Sequence, residues 1–207
     1  MLISHKYKFI FIHVWKTGGT SIYESLLPFT ETKDAKQSLM DRLLKKERKP
    51  VSLDFEKHIM TGELKKKIPS NYFDPYFKFA FVRNPLSWEV SYYHFITQKR
   101  NNHPQQEVIR NLGSFEAFID WAAENEMEKH SQKQFIYQSG KKIVDFVGKY
   151  ERLNEDLQQV KSILGLPDFE MQHINKSLHD DYKQYYTPRM EAIVRDKLKE
   201  DFELFNY

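Results

Sequence analysis

The chain has 207 residues, 32 Lys and Arg against 29 Asp and Glu for a formal balance of +3, and 40% hydrophobic residues. This length and apolar content suit one domain with a buried core, and the weak charge balance gives no ground for a nucleic-acid partner. The absence of cysteine excludes a disulfide framework, thiolate catalysis and zinc-cysteine sites, and fits a reducing, cytoplasmic setting.

In chain order, Tyr7 to Val14 has the β-branched and aromatic content of a buried strand, and Ser21 to Leu27 reads as the start of a helix. The strand run is the longest apolar stretch and is far short of a membrane span. The N-terminus also lacks the charged-then-apolar pattern of a signal peptide, so no integral membrane segment is expected. Between Lys33 and Asn71 the signals are weaker, with charged helical segments and a short strand candidate at Pro50 to Leu53. Lys45 to Lys49, Lys65 to Lys67 and Lys141-Lys142 are the candidate clusters for steering a polyanionic ligand, and each reads first as solvated surface. A second strand is expected at Phe77 to Val82. Asn84 is a good N-cap with Pro85 in the first turn, and the helix it starts should run to about Lys99.

Ser114 can cap a helix whose Phe115, Phe118, Ile119 and Ala122 share one face, a core stripe. A third strand is expected at Ile143 to Tyr150. Asn154 is placed to cap a helix with Leu157, Val160 and Leu164 inward, stopped by Gly165 and Pro167. Thr187-Pro188 starts one last helix with Met190, Ile193, Val194, Leu198 and Phe202 on a common face. The alternation predicts an α/β fold of the P-loop-like, three-layer kind: a single domain over residues 1–207, with a mainly parallel central sheet flanked by helices. In open sheets of this kind ligands bind beyond the carboxyl ends of the strands, so those ends should carry the chemistry.

The first such end is Lys16-Thr17-Gly18-Gly19-Thr20-Ser21. Glycines let backbone amides approach an anion, the helix N-terminus adds a partial positive charge, and Lys16 supplies a full one. A phosphate or sulfate belongs there, unless Lys16 is a solvated turn lysine and the glycines only cap the helix. The loop is not the nucleoside-triphosphatase version, in which the Lys follows the last glycine and a hydroxyl holds magnesium. The second end carries Arg83, and Ser91 lies two turns into the next helix. An Arg fork can hold a phosphate bidentately and a hydroxyl adds a donor. Taken alone, this pair could equally be an Arg bound to an acidic neighbour and a Ser facing solvent.

Together these stretches resemble the sulfotransferases that use 3′-phosphoadenosine 5′-phosphosulfate (PAPS). The closest likeness is to the carbohydrate-type family of heparan sulfate 2-O and chondroitin sulfotransferases, here as a bacterial member. The loop of that family runs roughly F-I-H-x-P-K-T-G-G-T-S, and this chain has Trp15 where Pro is usual. Its V-R-N-P…S pattern matches Val82-Arg83-Asn84-Pro85 and Ser91, and Trp88 stands where an Arg often follows. Tyr150-Glu151-Arg152-Leu153 looks like its Y-E-x-L, and His173-Ile174-Asn175-Lys176-Ser177 like its H-x-N-x-S.

The resemblance implies that Lys16, Thr17, Gly18, Gly19, Thr20 and Ser21 bind the 5′-phosphosulfate, with Lys16 at the bond that breaks, and that Arg83 and Ser91 grip the 3′-phosphate. It further implies Tyr150 at the adenine and Lys176 with Ser177 over a phosphate. Sulfuryl transfer needs charge stabilisation, positioning and a base for the acceptor hydroxyl, in line and without metal. Among eight His residues, the resemblance selects His58 as that base and leaves His13 to brace the loop by hydrogen bonding. The expected reaction moves a sulfuryl group from PAPS to a saccharide or other hydroxyl-bearing acceptor, leaving adenosine 3′,5′-bisphosphate (PAP). Two rivals stand beside it: a non-catalytic nucleotide- or glycan-binding module, and a P-loop kinase.

Overall fold

A computed structural model of the chain describes residues 1–30, 60, 63, 68, 70–98, 103–171 and 181–207. The chain divides into two compact units, Met1–Val82 with Gln134–Asn175, and Arg83–Lys133 with Lys176–Tyr207. Most of the Lys33 to Asn71 stretch, including the strand candidate at Pro50 to Leu53, lies outside the described residues.

The first unit is built on a four-stranded sheet. Its strands are β1 (Leu2–Ser4), β2 (Phe9–Ile12), β3 (Phe77–Val82) and, after a small antiparallel ribbon of β4 (Tyr137–Gln138) and β5 (Lys141–Lys142), β6 (Phe146–Lys149). Their spatial order is β1-β2-β3-β6. β1 pairs antiparallel with β2, whereas β2, β3 and β6 run parallel. The mainly parallel arrangement follows the expectation, and β3 has the expected bounds. β2 and β6 are shorter than read because their outer residues leave the ladder for the loops.

All four residues of β2 are 0–1% exposed, the pattern of a strand covered on both faces. Phe9, Phe11, Phe79 and Phe81 form one aromatic face. Onto it pack Ile22, Tyr23 and Leu26 of α1 (Gly19–Leu26) and, much later in the chain, Leu157 and Val160 of α6 (Leu153–Leu164). The register of β3 on β6 is pinned at its entry. Lys78 N–H donates to Asp145 Oδ2 at 2.7 Å, Asp145 N–H donates to Lys78 O at 2.7 Å, and Lys78 Nζ lies 3.0 Å from the same carboxylate. Besides α1 and α6 this unit holds the short α2 (Ser70–Phe73).

The second unit is helical: α3 (Pro85–Gln98), α4 (Gln106–Asn111), α5 (Phe115–Asn125), α7 (Pro188–Lys197) and α8 (Lys199–Phe205). Asn84 caps α3 through Oδ1, which accepts from Leu86 and Ser87 N–H. Ser114 caps α5 by accepting from Ala117 N–H, and its Phe115, Phe118, Ile119 and Ala122 are the buried face, as the spacing predicts. Thr187 caps α7 the same way. Met190, Val194, Leu198 and Phe202 join these side chains with Leu86, Trp88 and Tyr92 in one core.

Two expectations are corrected. The last helix is two helices, broken at Leu198 (φ −110°, ψ 27°). That turn brings Phe202 and Phe205 inward and buries Asp201 completely. Asn154 does not cap α6, whose N-cap is Arg152. A 3₁₀ turn over Tyr150–Arg152 winds straight into the helix and places Asn154 inside its first turn, beside Glu155 and Asp156, where acidic groups suit the helix dipole. Gly165, left-handed at φ 59°, ends α6 as predicted.

Candidate functional site

In the first unit, β2 stops at Ile12 and α1 starts at Gly19, so His13 to Gly18 form the connecting loop. Thr17 Oγ1 donates to Val14 O at 3.0 Å, which folds the loop back on itself. Lys16 (φ 59°) and Gly18 (φ 76°) are both left-handed. For Gly18 that conformation is free, but for Lys16 it costs on the order of 1 kcal/mol, which ties its side-chain direction to the loop shape. Gly18 is the N-cap of α1 and has no side chain to cap it. Ser21 N–H donates to Gly18 O at 3.0 Å and closes the first turn of α1, and a helix N-terminus of this kind suits an anion. Trp15, 40% exposed, stands beside the half-buried Lys16.

The glycines are also required by packing. A Cβ on Gly18 would meet Leu153 Cδ2 at 3.0 Å and Tyr150 Cδ2 at 3.2 Å, and one on Gly19 would overlap the His13 ring. His13 is 4% exposed and stacks on Phe11, with ring centroids 5.8 Å apart. It therefore braces the loop by packing its imidazole edge on Gly19, a contact the hydrogen-bond expectation did not anticipate. Gly19→Ala is expected to destabilise the protein by about 1–3 kcal/mol through this overlap, read as a lower urea midpoint. A double variant with His13→Ala should recover part of the loss. An unchanged midpoint in the single variant would show that the ring gives way freely.

Tyr150 and Leu153 reach Gly18 from the end of β6, which lies at the same sheet edge as the end of β2. That exit is itself held, because Lys149 N–H donates to Asp156 Oδ2 of α6 at 2.6 Å. The Y-E-x-L residues thus include two that close on the loop, and Leu153, not singled out from the sequence, is one of them.

The second unit begins with Arg83, the residue after β3. Arg83 is 4% exposed, and its Nε donates to Ser87 Oγ, 2.9 Å away and one turn along α3. Ser91, one further turn on, is 1% exposed. This corrects the alternative of a serine facing solvent. Ser87 was missed in the sequence, although its i+4 spacing from Arg83 was a usable signal. Gln132 was missed as well. Its Oε1 accepts from Arg83 N–H at 2.8 Å, and its Nε2 donates to Arg83 O at 2.7 Å.

The same unit buries an ion cluster. His130 Nδ1 is 2.8 Å from Glu89 Oε1 and its Nε2 is 3.4 Å from Glu126 Oε1; Glu89 is fully buried. Burial opposes the imidazolium, but the charges and hydrogen bonds of Glu89 and Glu126 outweigh it and raise the His130 pKa from 6.5 to about 9. Gln105 Nε2 donates to Glu126, and Tyr92 O–H donates to Gln105 Oε1 at 2.9 Å. Burial, followed by the Glu126 and Glu89 charges, pushes the Tyr92 phenol well above its ordinary value. Trp88 lies over this cluster, with centroids 5.1 Å from Tyr92 and 4.8 Å from His130, and is 3% exposed. It is a core residue, as is Tyr92, whereas Tyr93 and Phe95 are half-buried against the same core.

His58, Lys176 and Ser177 lie outside the described residues. Among the described residues, no group of three or more His, Asp or Glu side chains is arranged to hold a metal ion, and no helix is long and apolar enough to cross a membrane.

A mainly parallel sheet whose first βα loop places glycines at a helix N-terminus has the general form of an α/β protein with a site beyond the carboxyl ends of its strands. The sequence profile of the Sulfotransferase family matches residues 1–207. The chain belongs to the sulfotransferase family. An uncharacterised protein of Archaeoglobus fulgidus is 31% identical over 123 residues, covering 58% of this chain and 94% of that one. Among solved structures, mouse sulfotransferase SULT7A1 complexed with PAP superposes with a TM-score of 0.51 at 14% identity, over 97% of this chain and 85% of that chain. The fold is that of a sulfotransferase.

Proposed function

We propose that this chain transfers the sulfuryl group of PAPS to a hydroxyl of a carbohydrate acceptor. The observation that carries the reading is the β2-α1 loop. It has an N-cap without a side chain, two left-handed residues, and a lysine ahead of both glycines rather than behind them. That order suits a phosphosulfate and not a magnesium-bound triphosphate. Family membership supports the reaction class, and the PAP bound to the mouse relative supports the donor.

In this reading the acceptor O–H gives its proton to His58 and its oxygen bonds to sulfur. The bond from sulfur to the 5′-phosphate oxygen breaks, and PAP leaves with the electron pair. Lys16 counters the charge on that departing oxygen, while the Thr17 to Ser21 segment donates to the phosphosulfate. Arg83 and Ser91 take the 3′-phosphate. With Nε committed to Ser87, the bidentate grip of Arg83 falls to its two Nη nitrogens. Tyr150, packed on Gly18, takes the adenine, and Lys176 and Ser177 add phosphate donors. The carbohydrate acceptor rests on the motif resemblance.

The test compares ligands first. PAP should raise Tm clearly, by the equivalent of about 2.7 kcal/mol at a hundred times its Kd, and Mg-ATP should not. Labelled sulfate transfer from PAPS over a panel of sugars and phenols, with His58→Ala as control, then separates catalysis from binding. Stabilisation by Mg-ATP alone would overturn the reading.

A further inference from the structure

Arg83 is held by its main chain as well as by its side chain, and the holder lies 49 residues further along the sequence. The Gln132 amide, 2% exposed, spans both backbone groups of Arg83. Its orientation is unambiguous, since a backbone N–H needs an acceptor and a carbonyl needs a donor. Gln132 is fixed in turn. Its own N–H donates to Asp201 Oδ2 at 2.6 Å, while Asp201 Oδ1 accepts from Ser131 Oγ at 2.8 Å and from Lys133 N–H at 3.0 Å. Two residues before Gln132, His130 is anchored to Glu89 and Glu126. The segment is thus restrained on two sides before it meets Arg83.

Asp201 is completely buried. Burial raises its carboxyl pKa, and the donors from Gln132, Ser131 and Lys133 oppose that rise. Water can cap a strand exit at little cost, whereas a desolvated carboxylate and a buried amide are costly unless every bond is made. Such an arrangement suits a residue whose backbone must not rotate. We infer that Gln132, held by Asp201 of the C-terminal helix α8, is a positioning residue that fixes Arg83 for the 3′-phosphate of the nucleotide. The inference rests on the role proposed above for Arg83, and it makes α8 a determinant of nucleotide selectivity through Asp201.

The experiment reads the ratio of Kd values for adenosine 5′-monophosphate and PAP, two probes that differ only in the 3′-phosphate. The wild type should favour PAP strongly. Gln132→Met, which keeps the volume and removes both bonds, should cut that preference about tenfold while leaving the monophosphate Kd unchanged. Gln132→Glu, which keeps the acceptor but sets a buried carboxylate oxygen against the Arg83 carbonyl, should cut it at least as much. A purely structural residue would weaken both ligands together. Ser131→Ala, which removes one of three donors to Asp201, is a milder variant and should move the ratio in the same direction by a smaller factor.

An unchanged ratio in the folded Gln132 variants would overturn the inference while leaving Arg83 its role. If those variants do not fold, an unchanged ratio in Ser131→Ala would do the same. A wild type that does not distinguish the two nucleotides would instead overturn the Arg83 assignment itself, and this inference with it.

Discussion

Lys16→Ala is expected to lower kcat for sulfate transfer by two orders of magnitude or more, about 3 kcal/mol, with a smaller change in the KM for PAPS. The split follows from what the ammonium does. Attraction to the ground-state phosphosulfate is shared with the loop amides at the start of α1, whereas negative charge on the bridging oxygen grows only as the bond to sulfur breaks. The backbone of Lys16 complicates this variant, because an alanine at φ 59° keeps the left-handed strain. Lys16→Gly removes both the strain and the charge. It should therefore be at least as stable as Lys16→Ala and equally inactive. Saturation kinetics with labelled PAPS read the split directly. Near-normal turnover in either variant would remove Lys16 from the reacting bond.

Local pattern made much of this architecture legible. Phe77 to Val82 is a strand because six residues rich in aromatic and apolar side chains sit between a turn and the Asn84-Pro85 helix start, and no competing signal crosses it. The Phe115, Phe118, Ile119 and Ala122 stripe reads as core from spacing alone and is core. The loop from Lys16 to Ser21 is legible because glycine tolerance, charge and a helix start coincide within six residues.

Where the reading fell short, long-range contacts decide. Nothing near Leu198 in the sequence marks a break, since the helical face continues through it; the break is set by what Asp201 reaches, about 70 residues back. Gln132 meets Arg83 across 49 residues, and no local rule names such a partner. His13 was assigned a bracing role from its place in the motif, yet its packing on Gly19 depends on how the helix start folds under the strand end.

His130→Leu is expected to destabilise the protein by about 3–5 kcal/mol, because it strands the Glu89 carboxylate in the core. Glu89 has no exposed surface, and its Oε2 meets no hydrogen-bond donor among the described residues. Its charge is thus balanced chiefly through Oε1 on His130. Glu126, by contrast, also accepts from Gln105.

The pH dependence separates this mechanism from a simple packing loss. The folded pKa of His130, about 9, lies above the ordinary 6.5. The stabilisation is therefore complete below pH 6.5 and is lost as pH rises through 9, and the size of the shift corresponds to roughly 3 kcal/mol. Urea midpoints should fall across that window for the wild type and stay flatter for His130→Leu, so the two curves converge toward pH 9. Parallel curves would mean that the pair is not the source of the stability.

The cluster also bears on the nucleotide. Glu89 lies on α3 between Ser87, which holds the Arg83 guanidinium, and Ser91. Discharging His130 removes the ion pair that ties Glu89, between those two serines, to the core side of the helix. PAP affinity in the wild type should accordingly weaken in the same alkaline window in which stability falls, and in the variant it should already be weak at neutral pH.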